Sequence, residues 1–193
     1  MFHRLAVKWA NSLVNHGAEK ENLDVMIYGF ECALNEITAT ILVFAIAFII
    51  GKPLEMIVWQ MFWLPFRVNL GGHHASSHLW CIVYSTALAV GCVLLVPLLT
   101  LYSWIIWIEI IFSILIAFTI APVVHPNRQT SEARRIKFKK YGRIICLIET
   151  GIIVVAFFLP IATWFAQCAA IGMSSAALLC LIGKFTNPKA VTM

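Results

Sequence analysis

Charged side chains are scarce in this sequence: Asp, Glu, Lys and Arg make up 12% of the chain, against 61% hydrophobic residues, and the mean hydropathy is +0.89. Such a chain has too little polar surface to clothe a soluble globule, so it reads as an integral membrane protein. Regular cysteine spacing is also missing. The six cysteines stand at positions 32, 81, 92, 146, 168 and 180, mostly inside apolar runs, which argues against a disulfide framework. No H-E-x-x-H motif occurs, and a zinc protease of that type loses its support. The opening MFHRLAVKWANSLVNHG lacks the unbroken apolar middle of a signal peptide. Phe2, Leu5, Val7, Trp9 and Leu13 suit instead a helix lying along the membrane interface. There is no tandem repeat or low-complexity tract, so residues 1–193 read as one membrane domain. Its N-terminal interfacial segment is 1–24 and its basic cytoplasmic loop 122–143. Aromatics lie in the apolar runs rather than among the basic residues, which speaks against nucleic acid.

What is present is apolar length. A spanning helix needs about 20 mainly apolar residues. Residues 79–101 carry no charge, 104–124 are interrupted only by Glu109, and 144–160 followed by 161–182 read as a hairpin turning near Pro160. Residues 28–50 qualify although Glu31, Asn35 and Glu36 lie in their first half, where they must face protein or water. The segment 54–66 follows Gly51, Lys52 and Pro53 and ends at Arg67. It is too short for an ordinary span and is expected to be a half-span or re-entrant piece, crossing irregularly inside the protein. The expected fold is therefore all-α and polytopic, with four clear transmembrane helices, this half-span and the N-terminal interfacial helix. Arg128, Arg134, Arg135, Lys137, Lys139, Lys140 and Arg143 face the single acid Glu132 in the loop 122–143. The positive-inside rule puts that loop in the cytoplasm, and counting back puts residues 71–81 on the same side. The same basic patch suits anionic lipid or an acidic peptide.

Chemistry concentrates in RVNLGGHHASSHLWC, residues 67–81. Ser76 or Ser77 could cap a helix that places Cys81 about a turn inside. The thiolate is the attacking form of cysteine, and a helix N-terminus with a histidine nearby is the setting that generates it. His74 and His78 both offer the base, a histidine being suited to proton transfer near neutral pH. His78 shares a helix face with Cys81. His74 lies about 10 Å away along an ideal helix, unless a bend allowed by Gly71 and Gly72 returns it. Arg67 could snorkel to headgroups or hold a substrate carboxylate or backbone carbonyl. Glu31 and Glu36 fall on different helix faces, so one at most points toward the site, and Glu31 shares its face with Asn35.

With Arg67, Gly71, Gly72, His74, Ala75 and Cys81 at these separations, and APVVHPNR at 121–128 ahead of a basic stretch, the chain resembles the AgrB family, the membrane peptidases of accessory gene regulator quorum-sensing systems. In hydropathy the likeness extends over most of the chain. The resemblance implies that His74 and Cys81 form the dyad of a cysteine endopeptidase and that Glu31, Arg67, Gly71 and Gly72 support it. It implies no cofactor or metal, a homodimer, and a short autoinducer precursor peptide as substrate, cut and closed into a thiolactone or lactone. His73 and His78 have no role in the motif.

Two other classes compete. His74, His78 and Cys81, spaced H-x3-H-x2-C, could contribute to a zinc site that still lacks a fourth ligand. Alternatively Glu31, Glu109 and Glu149 could line the path of a non-enzymatic peptide exporter.

Overall fold

The computed structural model describes residues 2–73, 77–123, 131–159 and 162–186. Among these the chain is all-helical: α1 Phe2–Asn15, α2 Leu23–Ile49, α3 Pro53–Leu70, α4 His78–Thr100, α5 Ile105–Thr119, α6 Glu132–Phe157 and α7 Thr163–Thr186, with a 3-10 turn at Lys20–Asn22. Among the described residues three helical stretches are long and apolar enough to cross a membrane, Lys20–Ile49, Leu79–Thr100 and Thr163–Thr186, and Ile105–Thr119 is a shorter apolar helix.

α1 is strongly amphipathic and rests on α2. Its Ala6 and Ala10, one turn apart, are buried, and Trp9 meets Phe30 of α2 edge to face at 5.6 Å. On α2 the buried residues Asn35, Ala39, Val43 and Ala47 recur every fourth position, forming one inward stripe, while Ile37, Ile41, Phe48 and Ile49 are exposed as suits lipid contact. Gly51, at φ +70, turns the chain, and Pro53 opens α3 where its missing N–H costs nothing.

α3 is not among the helices apolar enough to span, in keeping with the expected shorter segment, but it is regular where an irregular crossing was expected. It is a continuous helix of 18 residues, about 27 Å long at the usual rise. The apolar run stops at Arg67, but the helix does not, because the guanidinium folds back onto carbonyls at the helix's own end. Met56, Trp59, Phe62, Trp63, Phe66 and Leu70 are buried, with Trp59 and Trp63 stacked at 5.1 Å.

α7 is the bundle's centre and packs against α3, α4, α5 and α6. Its buried residues are mostly small: Ala166, Cys168, Ala169, Ala170, Gly172, Ala176, Ala177, Cys180 and Gly183. Small side chains let helix backbones approach closely in a membrane, where packing rather than hydrophobic burial drives association. A Cβ on Gly172 would stand 2.7 Å from the Trp59 carbonyl oxygen of α3. Gly172→Ala is therefore expected to destabilise the bundle by about 1–3 kcal/mol, read as a lowered melting temperature in detergent beside Gly91→Ala, whose added Cβ meets only open space.

The basic stretch also differs from the expected loop. Ser131 caps α6 by accepting from the Arg134 N–H at 3.4 Å, so residues from Arg134 to Arg143 ride on helical turns. The acid in the first turn, Glu132, complements the helix dipole there. Farther along the bundle, Gln167 of α7 donates to the Glu109 carboxylate at 2.8 Å, the kind of internal partner that a carboxylate at membrane depth requires.

Candidate functional site

The site is built where α3 ends. Gly71 caps α3 at φ +69, and Gly72 follows at φ +132, both in the region that L side chains avoid. These two residues and His73 run as an extended strip wedged between the residues after α5 and the last turns of α7. Gly71 pairs with Val123 as an isolated parallel bridge. The Val123 N–H donates to Leu70 O at 2.9 Å, Gly72 N–H to Val123 O at 3.2 Å, and His73 N–H to Leu179 O of α7 at 2.9 Å. The His73 ring hydrogen-bonds the Thr186 hydroxyl at 2.9 Å.

Arg67 closes the strip from the other side. Its guanidinium donates to Gly71 O and to His73 O at 2.7 Å. In the structure the Arg67 guanidinium is engaged by backbone carbonyls of its own chain. Both glycines are required sterically as well as conformationally. A Cβ on Gly71 would overlap the Val123 carbonyl, and one on Gly72 would lie 2.6 Å from Leu179 O and 2.7 Å from Arg67 Nη1.

Cys81 occupies the first turn of α4. Ser77 caps that helix, accepting from the Trp80 N–H at 3.3 Å, as one of the two serines was expected to do. Cys81 is half-buried, whereas Cys92, Cys146, Cys168 and Cys180 are buried. The Arg67 guanidinium lies within electrostatic reach of Cys81, and also of Cys180, Glu36 and Tyr28. It is thus the point where α2, α3, α4 and α7 meet. His74, with Ala75 and Ser76, lies outside the described residues, and so do 124–128 of the APVVHPNR stretch. His78 is the first residue of α4. Among the described residues no three His, Cys, Asp or Glu side chains gather to hold a metal ion.

The two acids of α2 part company. Glu31 pairs with His3 of α1 at 2.7 Å and so ties the N-terminal helix to α2. Glu36 points the other way, toward a small cleft that Gln60 of α3 also lines, and lies within electrostatic range of Arg67. Thr40, Trp63 and Ser85 line the same cleft, Ser85 being one turn beyond Cys81. Sequence spacing separated the two carboxylates correctly but could not say which one turned inward. Glu36→Gln removes the charge that faces the Arg67 guanidinium and is expected to lower the activity of the site roughly ten-fold. Glu31→Gln breaks an exposed pair worth about 0–1 kcal/mol and is expected to act through the seating of α1. Turnover and melting temperature measured on both variants separate the two effects.

Val123, Leu179, Gly183 and Thr186 were not anticipated. The first two contribute main-chain atoms, which leave no mark in a sequence. Gly183 is detectable only as a small residue in the last turns of an apolar helix. Here it faces Gly72 so closely that a Cβ on it would lie 2.5 Å from Gly72 C and His73 N.

The family model Accessory gene regulator B matches residues 6–189. No curated protein and no solved structure matches the chain. The matched span takes in nearly all of the described helices, the glycine strip, Arg67 and Cys81, and on that extent the chain belongs to the AgrB family, with a role in processing accessory gene regulator autoinducers.

Proposed function

We propose that this protein is a membrane cysteine endopeptidase that cuts an autoinducer precursor peptide and promotes closure of the released part into a thiolactone or lactone, with Cys81 as nucleophile and His74 as base. The observation that carries this reading is the setting of Cys81: a half-buried thiol in the capped first turn of α4. The glycine strip leading toward His74 is hydrogen-bonded from both sides.

In the proposed reaction the Cys81 sulfur attacks the carbonyl of the scissile peptide bond while His74 takes the thiol proton. His74 then passes the proton to the leaving amine as the C–N bond breaks, which leaves a thioester between Cys81 and the N-terminal part of the precursor. A thiol or hydroxyl within that same peptide attacks the thioester, forms the ring bond and returns the sulfur to the enzyme. Exchange between thioesters is nearly balanced, so a setting poor in water favours ring closure over hydrolysis. The basic first half of α6 argues for a site near the cytoplasmic face. Arg67, Gly71 and Gly72 act by shaping the strip, and Glu31 by seating α1 on α2.

The test uses the purified chain in liposomes without any ion gradient and a synthetic precursor, a short amphipathic peptide with an internal Cys or Ser. Cleavage that is blocked by thiol alkylation and indifferent to chelators supports a cysteine peptidase. Sensitivity to chelators would transfer the chemistry to a zinc centre at His74, His78 and Cys81, and no cleavage without a gradient would favour a carrier.

A further inference from the structure

A second polar feature lies on the other side of Val123. A cavity of about 200 Å³ is walled by the residues from Thr119 to Val123, by Arg135 and Lys139 of α6, and by Lys184 of α7. Arg135 and Lys139 are one turn apart and share a face of α6, and Lys184 approaches from a different helix. No carboxylate is among the described residues that line it. A single buried water needs only about 10–15 Å³ of such space, so the cavity has room for a solvated anionic group.

Arg143 serves the end of α5, donating to Phe118 O at 3.0 Å and lying over the Phe118 ring at 5.0 Å. The depth of the cavity is also informative, because it sits at the last turns of α5 and α7, where the apolar helices stop. Each wall continues into an exposed apolar side chain: Phe118 before Thr119, Ile136 after Arg135 and Phe185 after Lys184. Leu115, a turn before Thr119 on the same face of α5, is exposed as well. An anion that belongs here is thus attached to something that is itself apolar.

We propose that this cavity binds the phosphate headgroup of an anionic phospholipid, held by Arg135, Lys139 and Lys184, with its acyl chains lying along Leu115 and Phe118 of α5. Basic residues at a membrane surface draw anionic lipid individually; three of them around one cavity make a stoichiometric site rather than a diffuse attraction. Val123 lines the cavity and also pairs with Gly71 and Gly72, so an occupied site braces the strip from behind. The proposal goes beyond the peptidase reading and does not depend on it, because binding can be measured without turnover.

The full chain, purified in a neutral detergent, is titrated with phosphatidylglycerol, with phosphatidylcholine of the same acyl chains, with inorganic phosphate and with a soluble oligoglutamate peptide, and retained ligand is counted by native mass spectrometry. One phosphatidylglycerol per chain is expected, bound at least about ten-fold more tightly than phosphatidylcholine. That preference is expected to vanish in R135Q/K139Q/K184Q and to persist in R134Q/K137Q/K140Q, which removes as many charges from neighbouring positions of α6. If the first triple variant fails to fold by circular dichroism, K184Q alone is expected to weaken phosphatidylglycerol binding several-fold. Equal losses in the two triple variants, or no preference over phosphatidylcholine, overturn the site. Inorganic phosphate binding as tightly as the lipid would show a free-anion site, and oligoglutamate binding that needs Arg135, Lys139 and Lys184 while the lipid does not bind would reassign the cavity to a peptide; either result overturns the lipid assignment.

Discussion

Cys81→Ala is expected to reduce precursor cleavage by at least about 10³-fold, the scale on which loss of a nucleophile is felt, while the variant accumulates and melts like the parent. The side chain is half-buried at the head of α4, and the helix is started by Ser77 rather than by Cys81, so little packing is lost with the sulfur. The informative contrast is with Cys92, Cys168 and Cys180, which are buried in the bundle. Their alanine variants are expected to keep the reaction and to lose roughly 1 kcal/mol of stability each. Cleavage followed by mass spectrometry, with melting curves in the same detergent, distinguishes the two behaviours. Persistent processing by Cys81→Ala would remove the nucleophile from the proposed mechanism.

Gly183→Ala is the second variant expected to have a large effect, although it lies on the helix farthest along the chain from the motif. The added methyl would stand 2.5 Å from two main-chain atoms, Gly72 C and His73 N, closer than carbon atoms pack. Main chain cannot rotate aside as a side-chain tip can, so either α7 retreats or the strip is displaced. A displacement of about 1 Å at a reacting group costs on the order of 10²-fold in rate, and overpacking of this kind destabilises by about 1–3 kcal/mol. Gly142→Ala is the matched control. Its Cβ would meet Leu70 Cδ1 at 3.3 Å, a methyl that can give way, and near-normal turnover is expected. Parent-like kcat in Gly183→Ala would mean that the strip does not depend on α7 for its position.

The extent to which the sequence foretold this arrangement varied with the range of the interaction. Ser77 as a cap and Cys81 one turn inside α4 follow from neighbours along the chain, and the apolar stretches disclosed the long helices for the same reason. Arg67 misled because a charge at the end of an apolar run reads as the end of a helix, when the guanidinium is in fact satisfied by carbonyls just beyond it. The basic segment misled in a similar way: its charge density suggested a loop, yet Ser131 and Glu132 start a helix that carries those charges on its solvated turns. Glu31 and Glu36 needed their three-dimensional surroundings, His3 for one and the cleft beside Arg67 for the other, before they separated. Leu179 and Val123 act through peptide groups, which any residue supplies, so no pattern of side chains could have revealed them.

The hydrogen bond from His73 to Leu179 joins an early part of the chain to the last described helix. A ribosome that has finished α6 has already made Arg67, both glycines and Cys81, but neither the Leu179 carbonyl nor the Thr186 hydroxyl that holds His73. The Cys81 thiol is therefore made before the contacts that hold the strip are complete. Chains that stop before the final helix would carry the motif without the main-chain and hydroxyl partners that hold His73.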